Sequence, residues 1–387
     1  MPVQLMKDRG SKSTGIGLSH LSKSYVSGQL AVDDLDLDMP AGSFTCLLGP
    51  SGCGKTTTLR MIAGLEHPTA GEITINGQVL DSVQRGIYQP PEKRGMGLVF
   101  QSYALWPHLT VAKNVEFGLR MQKVRAAERQ ERVTEALRLM QIGELAERYP
   151  AQLSGGQQQR VSLARMLAVE PSVLLLDEPL SNLDAMLRLE MRAELKRLHQ
   201  TTGQTFVFVT HDQIEAMTMA THVAVMKDGV LQQLAPPMEV YRRPSTRFVA
   251  EFVGSPPMNF VDPSGSGPAS VSLRRHLSDL RVDVAGLGSV GVRPEALRVA
   301  TAEDVPEGAW SFPAEVTAVL PTGSSSTVSL SAGQLALYLT AAAELDLGGR
   351  ITCYAQSSDL HLFDQQDQRV ASWDHNGSAS RELQEVR

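Results

Sequence analysis

Three things are scarce in this chain of 387 residues, and each closes off a class of protein. Cysteine occurs only at Cys46, Cys53 and Cys353, with neither the pairing of a disulfide framework nor the spacing of a metal site, which fits a reducing cytoplasm. Basic charge is not in excess: the net charge is −6 and the isoelectric point about 5.9, whereas a nucleic-acid-binding domain is usually basic. Long apolar runs are missing as well. No stretch approaches the roughly 20 apolar residues of a membrane-spanning helix, so any membrane role has to come through a partner. Residues 1–17 are polar, lack the apolar centre of a signal peptide, and read as a loose extension. The length is too great for one small domain and comfortable for two.

What is present begins with Gly49-Pro50-Ser51-Gly52-Cys53-Gly54-Lys55-Thr56. It follows the apolar run Phe44-Thr45-Cys46-Leu47-Leu48 and precedes a helical pattern that opens near Thr57, so G-x-x-x-x-G-K-[ST] stands in its strand-loop-helix setting. Three glycines let the backbone curl with N–H groups turned inward, and the helix start adds its positive end. Lys55 then supplies a point charge for β- and γ-phosphates, and Thr56 is placed to hold a magnesium ion. Alone, the loop says nucleoside triphosphate and no more.

Along the chain, residues 18–38 alternate as two strands around Ser27-Gly28-Gln29, and residues 71–77 read as a short strand closed by an Asn-Gly turn. A buried strand is expected over 96–100, and helices over 111–149. A further helix over 154–169 precedes Val173-Leu174-Leu175-Leu176, apolar throughout as a central parallel strand should be. Helices over 186–200 and 213–220 alternate with strands over 205–210 and 223–226, which implies an α/β domain with a parallel sheet covered on both faces. After about Thr246 the composition shifts. From Asn259 onward, short β-like runs over 290–292, 314–320, 325–330, 335–339 and 351–355 stand between Pro, Gly and Ser clusters, and predict a second, all-β domain. The tail after Trp373 is polar and expected to be disordered.

Asp177-Glu178 follows the 173–176 strand, and carboxylates at the C-terminal end of a parallel strand project into the crevice where ligands of α/β sheets sit. Asp177 can steady magnesium while Glu178 orients or deprotonates an attacking water. Leu153-Ser154-Gly155-Gly156-Gln157 makes a second anion site: a serine cap, two glycines that admit close approach, and a helix start.

The phosphate loop, Leu153 to Gln157, Leu176-Asp177-Glu178 and His211, in that order, resemble the nucleotide-binding subunit of an ATP-binding cassette (ABC) transporter. The resemblance covers residues 18–249 densely. It implies a P-loop ATPase of residues 18–248 with a helical subdomain at about 102–165, using ATP and Mg2+. It further implies a head-to-tail homodimer in which Ser154, Gly155, Gly156 and Gln157 of one copy face the ATP held by Lys55 of the other. Gly49, Pro50, Ser51, Gly52, Cys53, Gly54, Lys55, Thr56, Thr57 and Asp177 match the family's nucleotide contacts. Glu178, His211 and Gln101 match its catalytic positions, with Thr56, Gln101 and Asp177 as magnesium contacts and Asp184 as the residue communicating across the dimer. Tyr25 matches the aromatic that stacks on adenine, with a strand-end core tyrosine as the other reading. Residues 101–111 begin the surface that in this family receives a membrane subunit; Trp106 either makes that contact or fills the insert's own core.

Residues 253–260, 291–295 and 361–364 resemble segments of the regulatory domain in importers of sugars and sn-glycerol-3-phosphate, an OB-fold-like (TOBE-type) β-barrel placed at 249–372 before a polar tail at 373–387. The implied function is ATP-driven solute import, for a carbohydrate or a glycerol-3-phosphate-like substrate. Polyamine, ferric iron, sulfate and phosphonate importers share the plan, and a soluble non-transport ABC ATPase is the remote alternative. The implied partners are a second copy, two integral-membrane permease subunits and, indirectly, an extracytoplasmic solute-binding protein, with no nucleic acid. The implied location is the cytoplasmic face of the cell membrane, held peripherally.

Overall fold

In a computed structural model of the chain, residues 14–26, 28–100, 102–301, 303–343, 348–373 and 379–380 are described, with side chains to residue 370. The backbone divides into two compact units, Met1–Met238 and Glu239–Arg387. Among the described residues no helix is long and apolar enough to cross a membrane.

The first unit runs β1 (Ile16–Val26), β2 (Gln29–Met39), β3 (Phe44–Leu48), α1 (Lys55–Ala63), β4 (Ala70–Ile75), β5 (Gln78–Ser82), β6 (Ile87–Tyr88) and β7 (Met96–Val99). It continues with α2 (Val111–Met121), α3 (Ala126–Leu139), α4 (Gly155–Ala168), β8 (Val173–Asp177), α5 (Ala185–Thr202), β9 (Thr205–Thr210), α6 (Gln213–Met219), β10 (His222–Lys227) and β11 (Val230–Ala235). One sheet has the order β11-β10-β3-β9-β8-β7, parallel from β10 to β7, with β11 as an antiparallel edge. Every residue of β3, β8 and β9 is buried, which is why these strands read as continuous apolar runs and not as alternating ones. Leu59 and Ile62 of α1 join Leu47, Leu175 and Val207 in the core.

The other sheet of this unit, β2-β1-β4-β5-β6, is antiparallel. Asn76 and Gly77 take φ of 47° and 76°, the left-handed pair that an Asn-Gly hairpin turn requires. One expectation is corrected here. Of the stretch 1–17, expected to be loose, residues 1–13 lie outside the described residues, while β1 begins at Ile16, which is fully buried and pairs with Met39 and Ile75. A single apolar residue at the edge of a polar stretch carries no visible periodicity, so its burial was not legible.

The parallel register aligns three strand ends. Leu48 pairs with Thr210, and Asp177 pairs with Val209, so the chain segments leaving β3, β8 and β9 emerge side by side at one edge.

In the second unit two five-stranded sheets have the orders β12-β13-β19-β20-β21 and β14-β18-β15-β16-β17. These are β12 (Asn259–Val261), β13 (Leu287–Val292), β14 (Arg298–Ala300), β15 (Trp310–Pro321), β16 (Ser325–Ala332), β17 (Leu335–Ala342), β18 (Arg350–Ala355), β19 (Leu360–Asp364), β20 (Arg369–Trp373) and β21 (Ala379–Ser380). Strand β16 buries Ser326, Val328, Leu330 and Ala332 in strict alternation. The sheets expected there are present, together with a 12-residue helix, Pro268–Asp279, whose Leu273 and Leu277 pack into the core beside Trp310 and Phe312. Its proline at the helix start and its i, i+4 leucines were the available signals.

Candidate active site

The loop between β3 and α1 is shaped by its glycines. Gly52 and Gly54 take φ of 83° and 94°, and a Cβ on Gly49 would meet the Met226 carbonyl oxygen at 2.3 Å. Side chains are excluded where the backbone must curl against β10. No side-chain hydrogen bond caps the N-terminus of α1, where the loop ends in Gly54, and a helix start of that kind favours an anion. Lys55 is only 5% exposed; its Nζ donates to the carbonyls of Gly49 and Pro50, each at 2.8 Å, and lies 3.7 Å from Cys53 Sγ. A protonated amine folded back on two carbonyl oxygens is a donor set ready for the oxygens of a polyphosphate. Burial pushes the Cys53 thiol up despite the neighbouring Lys55.

Across the sheet edge, Thr56 Oγ1 donates to Asp177 Oδ1 at 3.0 Å. Asp177 is 8% exposed, and burial raises its carboxyl above the usual range, opposed by the Thr56 hydrogen bond and by Arg60. A buried carboxylate beside a hydroxyl oxygen is a hard-oxygen pair that favours a proton or a small hard cation, so these residues fit magnesium. Glu178 follows at φ 44°, an uncommon backbone for a side chain with a Cβ. Its N–H donates to Val209 at 3.1 Å, and its carbonyl accepts from Ser181 N–H at 3.3 Å and Ser181 Oγ at 2.9 Å. Those bonds over-determine the turn and aim the side chain out of the strand. Glu178 Oε2 stands 3.4 Å from His211 Nδ1, the first residue after β9.

Some expected residues lie elsewhere. Ser154 caps α4 in a reciprocal box: Gln157 N–H donates to Ser154 Oγ at 3.3 Å, and Ser154 N–H to Gln157 Oε1 at 3.0 Å. Ser154 and Gly155 are exposed, while Gly156 presses against Leu187, where a Cβ would come within 2.2 Å of a methyl carbon. Asp184 is exposed and caps α5, accepting from Leu187 N–H at 3.0 Å. Tyr25 is 59% exposed and so is not a core residue; its hydroxyl bonds Thr57 Oγ1 at 3.3 Å and donates to the Glu66 carboxylate. Gln101 lies outside the described residues. Trp106 is half-buried and packs on Phe117 with ring centroids 4.1 Å apart, which favours the insert's own packing.

Four residues that the motif reading did not name line a pocket with Glu178, Ser181 and His211: Arg188, Thr210, Asp212 and Glu215. Asp212 caps α6, accepting from Ile214 and Glu215 N–H at 2.7 and 3.2 Å. Glu215 is 4% exposed, accepts from Thr210 Oγ1 at 2.6 Å, and is pushed up by burial. Asp-x-x-Glu directly after a strand is a helix-start signature, and it was visible in the sequence.

The chain is similar to known proteins over both of its units. The ABC transporter family matches residues 32–181, and the TOBE domain family residues 290–363. The sn-glycerol-3-phosphate import ATP-binding protein of Rhodopseudomonas palustris is 41% identical over 365 residues, covering 90% of this chain and 97% of that protein. The trehalose/maltose import ATP-binding protein of Thermococcus litoralis is 55% identical over 232 residues, 60% of this chain and 62% of its own. Among solved structures, a dimeric post-hydrolysis ATP-binding cassette bound to ADP and Pi is 34% identical, covers 57% of this chain and 98% of its own, and superposes with a TM-score of 0.50.

Proposed function

The chain belongs to the ABC transporter family, as an ATP-binding protein of the import branch with a P-loop fold and a C-terminal TOBE domain, and from that premise we propose how its residues do the work. Two copies sandwich ATP head to tail, and closure of that dimer drives two membrane subunits that pass a carbohydrate or a glycerol-3-phosphate-like solute inward. The names of the two relatives support that solute class. An extracytoplasmic solute-binding protein acts on the membrane subunits, and this chain stays on the cytoplasmic face; no nucleic acid enters the reading. Residues 18–248 form the ATPase with a helical subdomain near 102–165, and 249–372 the regulatory domain.

In this mechanism Lys55 leaves the Gly49 and Pro50 carbonyls for the β- and γ-phosphates, while N–H groups of the loop and helix start over residues 51–57 wrap them. Thr56, Asp177 and Gln101 would hold magnesium, which would neutralise phosphate charge there. Tyr25 stacks on adenine. Glu178 orients and polarises the attacking water, and His211, released from Glu178, donates to the γ-phosphate. Ser154, Gly155, Gly156 and Gln157 of the second copy close the site, Gly155 and Gly156 through their N–H groups because those of Ser154 and Gln157 are taken up in the capping box, and Asp184 lies at the joint. ATP binding works by favouring the closed state over the open one, and hydrolysis removes that difference.

The carrying observation is the shared strand edge, where the Thr56 to Asp177 hydrogen bond stands with the Glu178 to His211 pair. A purified Glu178→Gln variant is expected to bind ATP and to dimerise with it, while its turnover falls by roughly 10²-fold or more. Size-exclusion chromatography with and without ATP, beside phosphate release, reads both. Parent-level turnover would refute the role of Glu178.

A further inference from the structure

The segment that leaves β7 is strapped to α4 by hydrogen bonds that no motif announces. After Phe100 the chain turns through Tyr103 (φ 60°) and Ala104 (φ 47°), two consecutive non-glycine residues in the left-handed region. Such a pair is unfavourable for any residue with a Cβ and persists where its surroundings hold it. One face of α4 does the holding. Ser162 Oγ donates to the Tyr103 carbonyl at 3.1 Å, Arg165 Nη2 to the same carbonyl at 3.0 Å, and Arg165 Nη1 to the Ala104 carbonyl at 2.6 Å. The next residues are fixed too. The Arg165 guanidinium lies over the Trp106 ring at 4.9 Å, and Asn114 of α2 brackets the Trp106 backbone, accepting from its N–H at 2.9 Å and donating to its carbonyl at 3.1 Å.

Arg165 is 4% exposed, and burial alone shifts its pKa, downward. A buried guanidinium whose hydrogen bonds run to backbone carbonyls is suited to fixing a loop. The strap has active-site residues at both ends. Its helix starts at Ser154, and β7 pairs with β8 so that Val99 stands opposite Leu176, next to Asp177 and Glu178.

We propose that Arg165 is a positioning residue, whose fork holds the backbone of segment 102–106 against α4 so that the chain leaving β7 keeps one course between that helix and the Asp177-Glu178 edge. The proposal rests on the roles given above to residues 154–157 and Glu178. Lysine at 165 would keep the charge but lacks the planar fork that reaches two carbonyls at once.

The full-length Arg165→Lys variant tests this by steady-state ATPase kinetics, binding of a fluorescent ATP analogue, and thermal melting. We expect kcat to fall by about tenfold or more, with KM and analogue affinity within about threefold of the parent, the signature of a lost transition-state arrangement. A folded variant whose kcat stays within about twofold overturns the proposal, and so does an equal loss of kcat and analogue affinity, which marks general damage to the site. If Arg165→Lys does not fold, Ser162→Ala removes one donor to the Tyr103 carbonyl; a kcat drop of about two- to fivefold at constant KM supports the strap, and no drop overturns it. Glu178→Gln, assayed alongside, separates the two failures: if it turns over at the parent rate, the active-site reading fails whatever residue 165 does.

Discussion

At residue 54 the loop's shape comes down to one hydrogen atom. Gly54 takes φ 94°, and a Cβ there would stand 2.4 Å from the Ala31 carbonyl oxygen; Gly52 takes φ 83° with nothing within 4 Å. The two glycines therefore separate conformational cost from steric cost. Gly52→Ala is expected to lose about 1 kcal/mol of stability, from the left-handed backbone alone. Gly54→Ala is expected to lose at least about 1–2 kcal/mol more, because backbone has to move away from Ala31. Urea midpoints of the two variants, followed by one probe of the first unit, check the order; equal losses would count against the close approach. Lys55 could be placed between a strand and a helix, and Asp177-Glu178 at a strand end, because the apolar runs before them mark β3 and β8. Arg165 and Arg94 could not. Arg94 is buried, bonds the Met61 and Ile62 carbonyls at 2.8 and 2.9 Å and pairs with Asp81 at 2.8 Å, yet its partners lie 33, 32 and 13 residues away in sequence. An arginine that ties distant backbone together leaves no periodicity to find.

At the scale of an element, α4 has two duties that one substitution can separate. Its first turn is stabilised by the Ser154 cap, and the same turn is the proposed contact for a second copy's nucleotide. Aspartate caps a helix as well as serine does, so Ser154→Asp is expected to keep stability within about 0.5 kcal/mol of the parent. The added carboxylate would face the γ-phosphate of the opposing ATP, and turnover is expected to fall by about tenfold or more. Thermal melting beside phosphate release decides it; a parent-like rate would mean that this helix start does not meet nucleotide. The elements legible in advance were those with one dominant pattern, such as β8 and β9 with every residue buried. The Pro268–Asp279 helix escaped because it lies among short strands and buries only part of one face, with Ala269, Ser270, Leu273 and Leu277 inside. Its period was real but brief.

At the scale of the whole molecule, the question is whether one chain holds a complete site. Thr56, Asp177, Glu178 and His211 meet within a single copy, whereas Ser154 and Gln157 bond each other on a separate helix. A head-to-tail dimer has two equivalent sites, each with Lys55 from one copy and Ser154 from the other. Lys55→Ala alone and Ser154→Asp alone then spoil both sites of their homodimers. Mixed, they form heterodimers in which one site carries both defects and the other carries neither. If the sites fire independently, a one-to-one mixture has half its dimers mixed, each with one sound site of two, so about a quarter of the parent rate returns. The mixture should be assayed after dilution and re-equilibration with ATP, so that copies can exchange, and compared with each variant alone. Activity above the sum of the separate variants requires nucleotide to be shared between copies. Activity equal to that sum would place all the chemistry in one chain and leave Ser154 with only its helix cap.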